Sequence, residues 1–329
     1  MTMVQQDSLI LMRPWQKFWS LMVLVAISSS MGVTWAAQKN GFVLDGALVP
    51  VQEIKRGGPP RDGIPAIDRP KFVAPSAADF LQPDDRVLGY VDSFGAKAYP
   101  IRILNWHEIV NDESGDTGLL VTYCPLCGTG MAFAVDRGKT FGVSGLLYNS
   151  DVLLYDRATE SLWSQMMGQA IAGSRRGELL ELVPLRHTTW DAWRSTYPDT
   201  LVLSTETGYR IDYRVDPYEG YERTRRLFFP VSARDRSYHP KALVMGVVID
   251  GQSRAYPFEE LAKVGEPLIE QIGSTTIRVQ YDPAAKSAWV ERLEGESGAA
   301  PTDLPSVISY WFAWYAFHPT TSIFVYEEE

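Results

Sequence analysis

The chain has 329 residues, of which 45% are hydrophobic and 22% charged, and these fractions are typical of a globular protein with a sizeable core. Its formal net charge of -9 argues against a nucleic-acid partner, because such partners usually require a basic surface.

The first 37 residues have the pattern of a secretory signal peptide. Arg13 and Lys17 precede an uncharged apolar run at residues 18–33, and Ala36 and Ala37 are small enough for cleavage. The run is short for a full membrane span, so cleavage is favoured over an uncleaved anchor. A membrane contact is expected only through this N-terminal segment, if it stays uncleaved. The sequence thus predicts an exported, periplasmic protein whose cysteines meet an oxidising environment.

The remaining chain is predicted to contain an extended segment and one globular domain. Residues 38–85 are rich in proline and glycine and should run extended over the surface. Residues 86–329 are predicted to fold as one domain of the α+β class, mainly β. Within it we expect two related strand-hairpin-helix-strand units, 86–135 and 243–290, and a β-rich insertion at 136–242.

The two units are similar in sequence. Residues 87–100 read VLGYVDSFGAKAYP and residues 244–257 read VMGVVIDGQSRAYP, and in both a proline opens a predicted helix. Further along, VTYCP in the first unit corresponds to VQYDP in the second, so that Cys124 falls opposite Asp282. We therefore predict an internal duplication in which only the first unit carries thiols.

Several elements are predicted outside these units. Alternating apolar residues after residue 136 indicate a β-meander. Thr188 is placed to cap a helix at residues 189–197. Residues 212–226 are expected to form an exposed loop, and the aromatic run YWFAWYAF at 310–317 a buried strand or helix.

The chain's two cysteines, Cys124 and Cys127, follow a predicted strand at residues 119–123. The sequence Gly-Thr-Gly after Cys127 favours a tight turn, whereas a thioredoxin-like site would place the pair at the start of a helix. Three chemistries stay open: binding of zinc or copper, reversible thiol–disulfide exchange with both cysteines as catalytic residues, and a static disulfide.

A metal site needs ligands beyond two thiolates. His107, on the helix before the cysteine strand, and His318, after the aromatic run, are the predicted additional metal ligands. A polar stretch that interrupts an apolar pattern is predicted to line a cleft for a cofactor or small ligand, through Asn149, Asp151, Trp163 and Gln165. The competing explanation for that stretch is hydrogen bonding within turns.

Ordered motifs along the chain resemble domain-of-unknown-function family 3179. These motifs are GGPPRDGIPAIDRP, AYPIRILNWHEIVND, VTYCPLCGTG, FGVSGLLYNSD, YDRATESLWSQ and WFAWYAFHP, and they span roughly residues 56–325. The resemblance implies an exported or membrane-associated protein. It also implies one common site, formed by His107, Cys124, Cys127, Trp163, Gln165 and His318.

The sequence therefore predicts an exported protein with a metal-binding or redox-active Cys-Pro-Leu-Cys site, and leaves open whether the protein is an enzyme. The alternative is a non-catalytic ligand-binding module with a structural Cys124–Cys127 disulfide. The expected partner is a small ligand or another exported protein.

Overall fold

A computed structural model describes residues 37–293 and 300–328. The predicted signal peptide, apart from Ala37, lies outside these ranges. Strands account for 41% and helices for 12% of the structure, which confirms the mainly β prediction. Among the described residues, no helix has the length and apolar character needed to cross a membrane.

The strands and helices are numbered in chain order. The strands are β1 (Gln38–Lys39), β2 (Phe42–Val43), β3 (Lys55–Arg56), β4 (Phe72–Val73), β5 (Arg86–Asp92), β6 (Gly95–Pro100), β7 (Ile109–Ser114), β8 (Thr117–Cys124), β9 (Thr129–Val135), β10 (Phe141–Tyr148), β11 (Asp151–Asp156), β12 (Leu162–Ser164), β13 (Gln169–Ala172), β14 (Glu181–Val183), β15 (Arg186–Thr189), β16 (Leu201–Leu203), β17 (Leu243–Ile249), β18 (Gln252–Pro257), β19 (Leu268–Ile272), β20 (Thr275–Asp282), β21 (Ser287–Arg292), β22 (Thr302–Leu304), β23 (Val307–Tyr310) and β24 (Ser322–Ile323). The α-helices are α1 (Ile101–His107), α2 (Trp190–Thr196), α3 (Phe258–Leu261) and α4 (Trp311–Phe317).

Five sheets of four or five strands are arranged as a five-bladed β-propeller. Their strand orders are β15-β5-β6-β16-β4, β14-β9-β8-β7, β13-β12-β11-β10-β3, β23-β17-β18-β24 and β19-β20-β21-β22. The strands β10 to β13 pair with their chain neighbours in antiparallel fashion, which is the meander predicted for the insertion.

The two predicted units contain the same order of elements. Hairpins β5–β6 and β17–β18 have the same register, with Val87 opposite Pro100 and Val244 opposite Pro257. A short helix and a further antiparallel sheet follow each hairpin. Similar packing rules also produce similar element orders in unrelated segments, so the predicted duplication stays a prediction.

Each hairpin contains a glycine on which a tryptophan packs. A Cβ atom added at Gly89 would collide with the ring of Trp193, and one at Gly246 would collide with that of Trp314. These tryptophans belong to α2 and α4, so the close approach fixes each helix against its sheet. Residues 311–317 of the aromatic run therefore form a helix packed in the core, whereas Tyr310 ends β23.

Two predicted helix boundaries differ from the structure. The sequence predicts a helix from Pro100 to about Val110, whereas α1 ends at His107, because strand β7 already begins at Ile109. Thr189, and not Thr188, caps α2, because its side chain accepts a hydrogen bond from the backbone N–H of Ala192.

Candidate functional site

The two cysteines lie in the tight turn that joins β8 to β9. Cys124 is the last residue of β8, and the backbone N–H of Cys127 donates to its carbonyl at 3.1 Å. Gly128 follows with φ of +61°. The carbonyl of Cys127 accepts a 2.8 Å hydrogen bond from the N–H of Tyr310, which joins the turn to β23. The predicted turn is confirmed.

A second turn brings a carbonyl and a carboxylate to the thiols. Asn149 and Ser150 connect β10 to β11 with φ of +52° and +65°, the two positive values that a type I′ hairpin needs. The carbonyl of Ser150 lies 3.8 Å from Sγ of Cys124 and 3.5 Å from Sγ of Cys127. Asp151 follows as the first residue of β11.

Cys124, Cys127 and Asp151 form one compact group, here called the Cys–Cys–Asp cluster. The two sulfur atoms lie 3.6 Å apart. One ligand atom from each residue lies within 4.8 Å of the other two, and all three residues are at most 1% exposed. The cluster thus presents two sulfur ligands and one oxygen ligand to the same small volume.

The carboxylate of Asp151 is only half satisfied by the protein. Its Oδ2 accepts a hydrogen bond from the backbone N–H of Met166 at 3.0 Å. Its buried Oδ1 has no hydrogen-bond partner within the described ranges. Burial raises the pKa of Asp151 to about 7, against the opposing effects of the Met166 N–H and of the thiols of Cys124 and Cys127. A cation beside Oδ1 would stabilise the ionised form.

The thiols are not joined in a disulfide, and burial disfavours their charged form. A sulfur–sulfur distance of 3.6 Å excludes a disulfide, whose bond is about 2.05 Å long. Burial raises the pKa of both Cys124 and Cys127 above the ordinary thiol value. Rapid thiol exchange requires an accessible thiolate, so the surroundings favour a ligand role over a nucleophilic one.

The structure does not bring the two predicted histidine ligands into the Cys–Cys–Asp cluster. The Nδ1 atom of His107 lies 2.7 Å from the carbonyl oxygen of Pro65, and its Nε2 lies 2.6 Å from the hydroxyl of Tyr213. His318 stacks on Trp314 with ring centroids 4.0 Å apart. Their role as ligands stays a prediction, and for His107 it would require the loss of one of these contacts.

The predicted cofactor-binding residues Trp163 and Gln165 are fully buried. Trp163 donates from Nε1 to Asp156 at 2.9 Å. Gln165 donates from Nε2 to the hydroxyl of Thr122 at 2.8 Å and to the carbonyl of Thr129 at 3.2 Å, while its Oε1 has no partner in the described part of the chain. Both residues support the strands behind the cluster.

An irregular segment covers the cluster. Residues 205–242, here called the cover segment, contain no strand and include Tyr221, which is buried in the same apolar core as both cysteines. The ammonium group of Lys241 lies 3.8 Å from the centre of the Tyr221 ring. Ser150 donates from Oγ to the carbonyl of Phe229 at 2.8 Å. The loop predicted at 212–226 is thus partly buried.

A carboxylate that the sequence did not single out lies near the cluster. Glu108 is 7% exposed and has a left-handed backbone, with φ of +57°. Burial raises its pKa to about 8, and the negative charge of Asp151 adds to the effect. Glutamate is unusual at such a φ, but sequence alone does not reveal the φ.

Comparison with known proteins gives one match. The family model described as "Protein of unknown function (DUF3179)" matches residues 61–321, in agreement with the resemblance seen in the motifs. No curated protein and no solved structure matches the chain.

Proposed function

The chain belongs to the DUF3179 family of proteins of unknown function, and we propose that it binds a zinc ion through Cys124, Cys127 and Asp151. The observation that carries the proposal is the convergence of three ligand atoms within 4.8 Å of one another in the interior. Because the family description states no function, the proposal depends on the geometry and chemistry of this cluster.

The distances in the cluster agree with those of a tetrahedral zinc site. With Zn–S bonds of about 2.3 Å, two thiolates on one zinc ion lie about 3.8 Å apart. The two sulfur atoms are 3.6 Å apart before any ion is added. Little rearrangement of the turn is therefore needed for both sulfurs to bind the same ion.

The donor set favours zinc over copper. Zinc accepts thiolate and carboxylate ligands together, whereas Cu(I) is selected by sites made of soft sulfur ligands alone. The oxygen of Asp151 is a hard ligand, and its Oδ1 is buried and free to coordinate. The sequence left zinc and copper open, and the carboxylate is the feature that distinguishes them.

A bound divalent cation would also correct an unfavourable electrostatic arrangement. Without one, the interior holds two thiols beside the carboxyl groups of Asp151 and Glu108, and no cationic side chain belongs to the cluster. Buried carboxylates are costly unless a cation or hydrogen-bond donors compensate them. Zinc supplies this charge while the two thiols release their protons.

Cobalt substitution tests the proposed ligands. Thiolate ligands give Co²⁺ an intense sulfur-to-metal charge-transfer band, so the wild-type protein with one Co²⁺ should show this band. Cys124→Ser should weaken the band and lower the affinity, and Asp151→Asn should lower the affinity while the band remains.

Asp282→Asn is the matched control for these variants. Asp282 occupies the turn of the second unit that corresponds to the cysteine turn, and its carboxylate accepts hydrogen bonds from the N–H groups of Ala284 and Ala285. This variant should bind Co²⁺ like the wild type. A wild-type protein that folds but shows no sulfur charge-transfer band would contradict the proposal.

We propose further that the protein is exported to the periplasm. The support is the charged and apolar pattern of the first 37 residues. That compartment favours disulfides, and a bound zinc ion would keep two thiols that lie 3.6 Å apart from forming one. Sequencing the N-terminus of periplasmic protein tests this, since a mature chain starting near Gln38 is expected and a full-length cytoplasmic chain would contradict it.

We also propose that the two hairpin–helix units share an origin. The support is their common register and the matching glycine–tryptophan contacts, together with two similar buried pairs. Tyr99 donates to Asp112 and Tyr256 donates to Glu270, both at 2.6 Å. Alignments of many family members should show significant similarity between the two halves, and unrelated halves would contradict the proposal.

A further inference from the structure

The carbonyl oxygen of Ser150 lies close to both thiols of the Cys–Cys–Asp cluster. It is 3.8 Å from Sγ of Cys124 and 3.5 Å from Sγ of Cys127. Ser150 is only 2% exposed, so bulk water does not reach this carbonyl. Within the described ranges, the two thiols are the only groups placed to donate hydrogen bonds to it. The oxygen therefore depends on the cysteines for its hydrogen bonds.

A tight turn fixes the direction of this carbonyl. Asn149 and Ser150 have φ of +52° and +65° in the hairpin that joins β10 to β11, and Tyr148 pairs with Asp151 across it. The hydroxyl of Ser150 donates to the carbonyl of Phe229 at 2.8 Å, which holds the side chain on the cover segment. The Ser150 carbonyl and the Asp151 carboxylate thus approach the thiols from the same turn.

Zinc binding would remove the hydrogen bonds that this carbonyl receives. Both thiols release their protons when they bind the ion. The carbonyl oxygen would then face two thiolates and no donor, which is a costly arrangement in a protein interior. A cation located between this oxygen and the two sulfurs removes the cost, because the oxygen lone pairs then point at the ion.

The distances around this oxygen agree with a tetrahedral zinc site. With Zn–S bonds of about 2.3 Å and Zn–O bonds of about 2.1 Å, a sulfur and an oxygen on the same ion lie about 3.6 Å apart. The carbonyl oxygen of Ser150 is 3.8 and 3.5 Å from the two sulfurs. It is also a neutral ligand, which suits an ion whose charge is already exceeded by two thiolates and a carboxylate.

We infer that the carbonyl oxygen of Ser150 is the fourth ligand of the zinc ion, beside Cys124, Cys127 and Asp151. This inference rests on the proposed zinc site. Four protein ligands close the coordination sphere, so the ion is structural and binds no substrate. The cysteine turn belongs to the sheet β14-β9-β8-β7, and the Ser150 turn belongs to the sheet β13-β12-β11-β10-β3. Zinc therefore joins two blades of the propeller.

A crystal structure of the zinc-loaded wild-type protein, with anomalous data at the zinc edge, tests the inference. The zinc peak should lie about 2.1 Å from the carbonyl oxygen of Ser150 and about 2.3 Å from both sulfurs. Zinc at the cluster with a water molecule or another side chain in the fourth position would overturn the inference. Absence of zinc from the cluster would overturn the zinc proposal itself, so the two failures are distinguishable.

Azide titration of the Co²⁺ protein tests the closed coordination in solution, because azide is a small anion that binds metal ions with a free position. In the wild type, azide should change neither the visible bands nor the sulfur charge-transfer band. Asp151→Ala is the control, because it removes one ligand and opens a position. In this variant, loaded with excess Co²⁺, azide should change the visible bands saturably. A saturable change in the wild type would overturn the inference.

The histidines predicted as ligands are the competing candidates for the fourth position. His107→Gln and His318→Gln should leave the Co²⁺ spectrum unchanged and insensitive to azide. A new response to azide in either variant would show that a histidine completes the site, and would overturn the inference. Comparison of far-ultraviolet circular dichroism establishes that the variants are folded.

Discussion

Nε2 of His107 and the hydroxyl of Tyr213 lie 2.6 Å apart, and this hydrogen bond ties helix α1 to the cover segment. The same hydroxyl lies 2.6 Å from that of Thr207, which holds the segment near its start. The neighbouring Trp106 donates from Nε1 to the carbonyl of Val215 at 3.0 Å. Helix α1 thus supports both the cysteine strand and the segment that covers it.

Loss of the Tyr213 hydroxyl should loosen the cover. Tyr213→Phe should lower the free energy of unfolding by about 1 kcal/mol, because two hydrogen bonds lose a partner. In metal-free protein, it should also speed the reaction of the cysteines with a thiol reagent. Tyr209→Phe is the control, because the ring of Tyr209 contacts His107 and its side chain is exposed. Equal thiol reactivity in the two variants would show that the hydrogen bond between His107 and Tyr213 does not hold the cover segment in place.

A methyl group at Gly128 should disrupt the cysteine turn. Gly128 has φ of +61°, and an added Cβ would lie 2.9 Å from the ring of Tyr310. Gly128→Ala should cost about 2–3 kcal/mol in chemical denaturation, from backbone strain and the clash together. Gly138→Ala, with φ of +78° and open space around it, should cost about 1 kcal/mol. Equal costs would contradict the predicted contact with Tyr310.

Glycine in place of Glu108 should stabilise the metal-free protein. The change relieves the left-handed strain, worth about 1 kcal/mol, and removes a side chain that is only 7% exposed and whose pKa burial raises to about 8. Glu160→Gly relieves a similar strain, since φ is +58°, but this side chain is exposed and pairs with Arg61 at 2.8 Å. Thermal unfolding should show a larger gain for Glu108→Gly. A loss of stability in Glu108→Gly would contradict the described environment of Glu108.

His187 should make the protein sensitive to acid. Burial, with a smaller contribution from the charge of Arg86, lowers its pKa to about 3, and its Nε2 lies 3.1 Å from both the backbone nitrogen and the carbonyl oxygen of Gly130. In the unfolded chain the imidazole of His187 binds a proton near pH 6.5, whereas in the folded chain it stays neutral. The free energy of unfolding therefore decreases as the pH falls from 6.5 toward 3. Between pH 7 and 5 this loss is about 2 kcal/mol.

Comparison with His187→Gln isolates this contribution, because other titrating groups are common to both proteins. The free energy of unfolding of the variant should fall by about 2 kcal/mol less than that of the wild type between pH 7 and 5. Parallel pH profiles would contradict the assignment of a neutral, buried imidazole.

The cysteine turn could be predicted from sequence because its signals are local. Cys124 and Cys127 are followed by Gly128, whose φ of +61° is one that glycine adopts without strain. Proline and threonine likewise marked the starts of α1 and α2 to within a residue or two. Periodicity could not tell a buried strand from a buried helix in the aromatic run, which forms α4.

The composition of the candidate site depended on contacts between distant segments. Asp151 was expected to bind a cofactor, and the sequence predicted a turn at residues 149–151, but the packing that brings this turn to the thiols is visible only in three dimensions. His107 was chosen as a ligand because of its residue type, whereas its two ring nitrogens contact Pro65 and Tyr213. Glu108 stayed unnoticed because neither burial nor a left-handed φ can be seen in one sequence.

The zinc content of the purified protein tests the central claim most directly. Protein expressed with its export segment and purified without chelators should contain about one zinc per chain by elemental analysis, with no copper. Cys124→Ser and Asp151→Asn should lose most of it, whereas Asp282→Asn should keep it. Folded wild-type protein that contains no zinc and takes up none when it is supplied would contradict the account.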